Sequence, residues 1–123
     1  METPDKKLIL LAEDDDSMRR LLEIILKKAD FEVIAAEDGL QAMKFALENQ
    51  ISAVVADAIM PGLTGYDLCR MLKSKADKKD IPFVILSGLS ENAEESKKCV
   101  ADAFLLKTPK IKEELIETLK NLL

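Results

Sequence analysis

Four consecutive acids, Glu13, Asp14, Asp15 and Asp16, follow one apolar run, and a further acid, Asp57, ends another, Ala53-Val54-Val55-Ala56. An acid at a helix start caps free N–H groups and complements the dipole, a gain of about 1 kcal/mol that accounts for Asp15 or Asp16. It does not account for Glu13 and Asp14 beside Asp57. Two carboxylates about 4 Å apart repel by roughly 4 kcal/mol at an effective dielectric near 20, so three in one cleft need a hard divalent cation. Mg²⁺ fits, because it typically takes one or two carboxylates plus phosphate and water. A carboxylate beside such a cation can act as a nucleophile and form an aspartyl-phosphate. Asp57 is the candidate, although alone it would pass for a turn residue ahead of Met60-Pro61-Gly62. Ser87 and Lys107 each end a further apolar run and would singly read as loop or surface residues. Together with Asp57 they offer a hydroxyl donor and an ammonium for anionic phosphoryl oxygens.

These side chains need elements to hold them. Five apolar runs recur, Leu8 to Ala12, Val33 to Ala36, Ala53 to Ala56, Phe83 to Leu86 and Ala103 to Leu106, and none alternates strictly with polar residues. Continuous apolar strands suit a parallel sheet covered on both faces. Helical stripes lie between them: Met18, Leu21, Leu22, Ile25 and Ala29; Met43, Ala46 and Leu47; Leu68, Cys69 and Leu72; and, at the end, Ile111, Leu115, Leu119 and Leu122. A fourth stripe, Glu91 to Val100, has only Ala93, Cys99 and Val100 as core candidates and should dock weakly. The expectation is an α/β, (βα)₅ doubly wound parallel sheet in the flavodoxin-like order 2-1-3-4-5, a three-layer sandwich forming one domain over residues 1–123. The last stripe ends at Leu122, so no output domain is expected within these residues, and a piece of a longer protein would look the same. Ligands of such sheets bind outside the carboxyl ends of the strands. Glu13, Asp14, Asp57, Ser87 and Lys107 should therefore share one rim, with Glu37 and Asp38 apart at the sheet edge.

Composition narrows the chemistry further. The chain has no histidine, which removes Ser-His-Asp and Cys-His catalysis, histidine-bound zinc and any histidine phosphoacceptor of its own. Cys69 and Cys99 lack metal-ligand spacing and read as small buried hydrophobes. A net charge of −5 argues against direct nucleic-acid binding, which clustered Lys and Arg would drive. No run approaches the roughly 20 apolar residues of a membrane span, and the opening heptapeptide is too polar for a secretory signal, so a cytoplasmic location is expected.

Over nearly its whole length the chain resembles the receiver domain of bacterial two-component response regulators. The matching pieces are Ile9 to Arg19, Val55 to Gly62 with Gly65-Tyr66, Pro82 to Gly88, and Ala101 to Lys107. The resemblance implies that Asp57 accepts a phosphoryl group from a phosphohistidine on a sensor histidine kinase or phosphotransfer protein. It implies Asp14 as the direct Mg²⁺ ligand, Glu13 acting through water, and Ile59 offering its backbone carbonyl. Ser87 and Lys107 match the hydroxyl and lysine that meet the phosphoryl group, Gly88 adjoins them, and Phe104 matches the aromatic that turns inward during switching. The reshaped face, built from the fourth helix, fifth strand and fifth helix, would bind a downstream effector and is where a phosphorylation-dependent homodimer would form.

Two departures stand out. Thr108 separates Lys107 from Pro109, where the family usually has a cis Lys-Pro bond, and a cis bond before Thr108 would cost about 2.5–4 kcal/mol. Gly88 replaces a more usual alanine and should loosen the loop after strand four. Bulky Ile59 and Leu89 cannot orient an attacking water, which predicts a long-lived phosphoryl group. Among rivals, a haloacid-dehalogenase-type phosphatase would need threonine where Met18 stands, and a flavodoxin-like module would have its flavin phosphate repelled by four acids. A receiver-like scaffold that works without phosphorylation is the remaining alternative.

Overall fold

A computed structural model describes residues 6–88 and 100–123 of the chain. Five strands, β1 (Leu8–Ala12), β2 (Glu32–Ala36), β3 (Ala53–Asp57), β4 (Phe83–Ser87) and β5 (Ala103–Leu106), form one sheet in the order β2-β1-β3-β4-β5. Every pairing is parallel, as the apolar runs require. All five residues of β4 are buried, whereas the edge strands β2 and β5 are partly exposed.

Each central strand feeds two cores. On one side Leu10, Val54, Phe83 and Ile85 pack with residues of α2 (Gly39–Glu48) and α3 (Gly65–Lys73). On the other, Ile9, Leu11, Val55, Val84 and Leu86 meet α1 (Asp16–Lys28) and the C-terminal helix, here α4 (Ile111–Leu122). The order and both layers are those expected. The expected helix over 91–100, together with Leu89 and Cys99, lies outside the described residues apart from Val100. Cys69 is buried within the first core, as expected of a small hydrophobe.

Two stripe assignments need correction. Leu21 is 48% exposed and Leu47 53% exposed, while Leu22, Ile25 and Leu26 of α1 and Ala42, Met43 and Ala46 of α2 face the sheet. Successive helical residues point about 100° apart, so a stripe that buries Leu22, Ile25 and Leu26 leaves Leu21 at its margin. Ala29 caps α1 instead of lining it.

Helix starts are fixed locally. Asp15 Oδ2 accepts from the Met18 N–H at 2.7 Å, Asp38 Oδ1 from Gln41 N–H at 2.8 Å, and Thr64 forms a capping box with Asp67. At the amino ends of β4 and β5, Lys73 Nζ donates to Ile81 O at 2.9 Å and to Asp102 Oδ2 at 3.0 Å. The same Asp102 oxygen accepts the Phe83 N–H at 2.7 Å. No peptide among the described residues is cis, so the chain leaves Lys107 through a trans bond to Thr108. Thr108 then builds the turn into α4, its N–H donating to Leu106 O at 2.9 Å and its carbonyl accepting from Ile111 N–H at 3.0 Å. No helix among the described residues is long and apolar enough to cross a membrane.

Candidate functional site

The register carries the site. Ala12 pairs with both Ala36 and Ala56, Asp57 with Leu86, and Ser87 with Leu106. The carboxyl ends of all five strands therefore finish level, and residues at the ends of β1, β3, β4 and β5 meet. Carboxylate oxygens of Glu13, Asp14 and Asp57 all lie within 4.8 Å of one another. Glu37 and Asp38 follow edge strand β2 and are not part of this group.

Glu13 is the most constrained of the three, with 1% of its side chain exposed. Its N–H donates to Ala36 O at 3.1 Å, and its Oε2 accepts from Asp15 N–H at 3.1 Å. Its carbonyl oxygen accepts from Arg19 Nη1 at 3.0 Å, and its Oε1 from Lys107 Nζ at 2.8 Å. Lys107 also lies 3.1 Å from Asp57 Oδ1, so one ammonium bridges two of the acids. Burial and the nearby Asp57 charge hold the Glu13 carboxyl above the ordinary glutamate range against the opposing pull of Lys107. For Lys107, burial works against the charged form, but the bond to Glu13 and the charge of Asp57 outweigh it and raise its pKa.

Asp57 is held from behind. The next N–H, that of Ala58, donates to Leu86 O at 2.8 Å, and Gly65 N–H returns to Ala58 O at 2.9 Å. A Cβ on Gly65 would stand 2.2 Å from the Asp57 carbonyl oxygen, so only glycine lets α3 begin this close to the end of β3. Gly39 similarly seats the start of α2 against the 58–64 loop, where an added Cβ would be 2.2 Å from Leu63 O. The Ile59 side chain in that loop is 62% exposed. Ser87 is buried at the end of β4, and its carbonyl accepts the Lys107 N–H at 2.8 Å, tying the two residues together at the rim. Gly88 has open space where a Cβ would stand, so a side chain would fit there. Phe104 lies on the edge strand, 42% exposed.

Chemically, the set suits a hard cation. Three carboxylates of graded exposure present oxygens close enough to converge on one ion, and the Lys107 ammonium already sits between two of them as a positive charge. Asp57 keeps 12% of its side chain exposed. Sequence reasoning missed two contributors. Arg19 and Gly65 enter it only as positions of the receiver-like pieces Ile9 to Arg19 and Gly65-Tyr66, with no role assigned. A groove of about 410 Å³ opens beside Lys107 between α1 and α4, lined by Met18, Leu21, Ile24, Thr108 and Pro109 among others.

Residues 9–120 match the family model of the response regulator receiver domain. The chain belongs to that family. The receiver is 40% identical over 91 residues to the probable transcriptional regulator ycf27 of Cyanophora paradoxa, covering 73% of this chain and 36% of that protein. It is 35% identical over 86 residues to histidine kinase P4 of Formosa agariphila, covering 70% of this chain and 6% of that one. The receiver thus spans about a third or less of these relatives. Among solved structures it is similar to the chemotaxis protein CheY4 of Vibrio cholerae, with a TM-score of 0.87, 27% identity, and 97% and 100% of the two chains covered. It is also similar to the response regulator TrrA of Thermotoga maritima, solved in complex with Mg²⁺-BeF, with a TM-score of 0.85, 29% identity, and 95% and 99% covered. The receiver is a signalling domain of two-component systems with an acidic pocket at its sheet rim.

Proposed function

We propose that this receiver, one domain over residues 1–123, takes a phosphoryl group on Asp57 from a phosphohistidine of a sensor histidine kinase or phosphotransfer protein. The observation that carries the reading is the convergence of Glu13, Asp14 and Asp57 on Lys107. The Asp57 carboxylate oxygen attacks phosphorus, an O–P bond forms, and the N–P bond of the donor breaks. Its electron pair stays on the leaving imidazole, which takes up a proton. With no histidine in the chain, that donor belongs to another protein or to a region outside these residues.

Asp14 and Asp57 would hold Mg²⁺ directly, with Glu13 through water and the Ile59 carbonyl completing the set. The ion would neutralise charge on the phosphoryl oxygens during transfer. Asp57 supplies the nucleophile, and Glu13 lies beside it. The Lys107 ammonium is already 3.1 Å from Asp57 Oδ1 and needs only a small move to meet a phosphoryl oxygen. Ser87, tied to Lys107 through the backbone, donates its hydroxyl to another. Gly88 adds flexibility next to Ser87, and Phe104 responds to the change at the rim. β5 and α4 would contribute to the face that an effector or a second copy reads. TrrA, solved with Mg²⁺-BeF, supports the role of magnesium. A cytoplasmic location and a role as phosphoacceptor, not turnover catalyst, complete the reading.

The test is incubation with acetyl phosphate and Mg²⁺ followed by intact mass measurement. Wild type gains one phosphoryl group and Asp57→Asn gains none. If wild type gains none, the phosphorylation-independent scaffold reading replaces this one.

A further inference from the structure

Asp14 differs from the two acids beside it in how it is held. Glu13 and Asp57 are both fastened by Lys107, whereas the Asp14 carboxylate has no hydrogen-bond or ion-pair partner among the described residues and is exposed. Its direction is set by its backbone. The peptide group entering Asp14 carries the Glu13 carbonyl oxygen, and that oxygen accepts from Arg19 Nη1 at 3.0 Å. The other end of the same guanidinium, Nη2, reaches Asp16 Oδ1 at 2.5 Å. The Arg19 backbone N–H donates to Asp15 O at 2.8 Å, and only 18% of the side chain is exposed. One planar fork thus ties the residue before Asp14 to the residue two after it, and a planar fork loses little entropy in doing so.

We propose that Arg19 is a positioning residue for cation binding: by fixing the Glu13–Asp14 peptide it aims the Asp14 carboxylate at Glu13 and Asp57. The proposal rests on reading the acid cluster as a Mg²⁺ site. It separates from a purely electrostatic role by sign. A positive charge near a cation site repels the cation, so removing the charge tightens binding if only the field matters. Removing a positioning contact loosens it, by ten- to a hundred-fold for partners that orient metal ligands.

The experiment is calorimetric titration of the unphosphorylated chain with Mg²⁺, using wild type, Arg19→Gln, Arg19→Lys and Asp14→Asn, with thermal unfolding of each in chelator. Arg19→Gln is expected to bind Mg²⁺ about ten-fold more weakly than wild type while unfolding as a cooperative native protein without metal. Arg19→Lys keeps the charge and one donor but loses the fork, and is expected to fall between them. Equal or tighter binding by Arg19→Gln overturns the proposal and leaves the site reading intact. If Arg19→Gln does not fold, Arg19→Lys decides: weaker binding than wild type supports positioning, and equal or tighter binding overturns it. No Mg²⁺ binding by wild type, or undiminished binding by Asp14→Asn, overturns the site reading and the proposal with it.

Discussion

Lys107 Nζ lies 2.8 Å from Glu13 Oε1, joining the end of β5 to the end of β1 across the intervening strands β3 and β4. Only 1% of the Glu13 side chain is exposed, so the pair seals a buried negative charge at the rim. Removing one partner of such a pair leaves the other unsatisfied, while removing both is far less costly. Lys107→Met should destabilise the fold by about 2 kcal/mol, less than a fully buried pair would lose because Lys107 is partly solvated. Glu13→Gln/Lys107→Met should recover at least half of that. Urea unfolding of the two single variants and the double variant checks it, and additive single effects would show that the two residues are not coupled.

Gly65 and Gly39 make equally close approaches to backbone carbonyls, but only Gly65 faces the carbonyl of Asp57 itself. Alanine at either position should destabilise by about 1–3 kcal/mol, the usual effect of forcing extra volume into a packed contact. Gly65→Ala should also slow labelling of Asp57 by acetyl phosphate by more than Gly39→Ala does at matched stability. Parallel mass-spectrometric time courses measure the difference, and equal rates would mean that Asp57 does not depend on the seat of α3.

If Asp57 takes its phosphoryl group from a phosphohistidine, as proposed, the donor domain needs a surface near the rim, and the groove between α1 and α4 includes Lys107 in its lining. Leu21 and Ile24 are about half exposed in it and contribute little to the core. Leu21→Glu with Ile24→Glu should leave stability within about 1 kcal/mol of wild type. It should reduce transfer from a kinase phosphohistidine domain about ten-fold and leave labelling by acetyl phosphate unchanged. Equal loss with both donors would place the defect in Asp57 chemistry instead of docking.

The capping box of α3 has a pH signature. Burial raises the Asp67 pKa, but the hydroxyl and N–H of Thr64 and the charge of Arg70 outweigh it, and the carboxyl titrates below the ordinary aspartate range. A depressed pKa means that Asp67 stabilises the fold above the ordinary aspartate value and loses that contribution as pH falls through its lowered folded value. Asp67→Asn should therefore flatten part of the acid limb of the stability curve. Thr64→Ala should cost about 1 kcal/mol at neutral pH. Unfolding midpoints measured from neutral pH downward test both, and an unchanged acid limb in Asp67→Asn would exclude this linkage.

A parallel sheet covered on both faces was legible because Leu8 to Ala12 and Phe83 to Leu86 are apolar without alternation, a pattern that a sheet with one wet face cannot tolerate. The rim cluster was legible for a related reason, since acids directly after buried strands have few other roles. Helix phase was not. Leu21 and Leu22 are equivalent as residue types, and only the packing of α1 against β1 and β2 decides which is buried. The Arg19 contact with the Glu13 carbonyl was hidden as well, because its acceptor is a backbone atom. The bridging position of Lys107 between Glu13 and Asp57 depends on the two acids converging in space, which spacing along the chain does not encode.

At the opposite end of the sheet, Lys73 and Asp102 satisfy each other and the backbone of Ile81 and Phe83 together. That end is electrically finished, whereas the rim carries three acids against one bridging lysine. The two ends of the sheet therefore differ in charge balance, and it is at the rim, not at the Lys73–Asp102 end, that an added charge would change it.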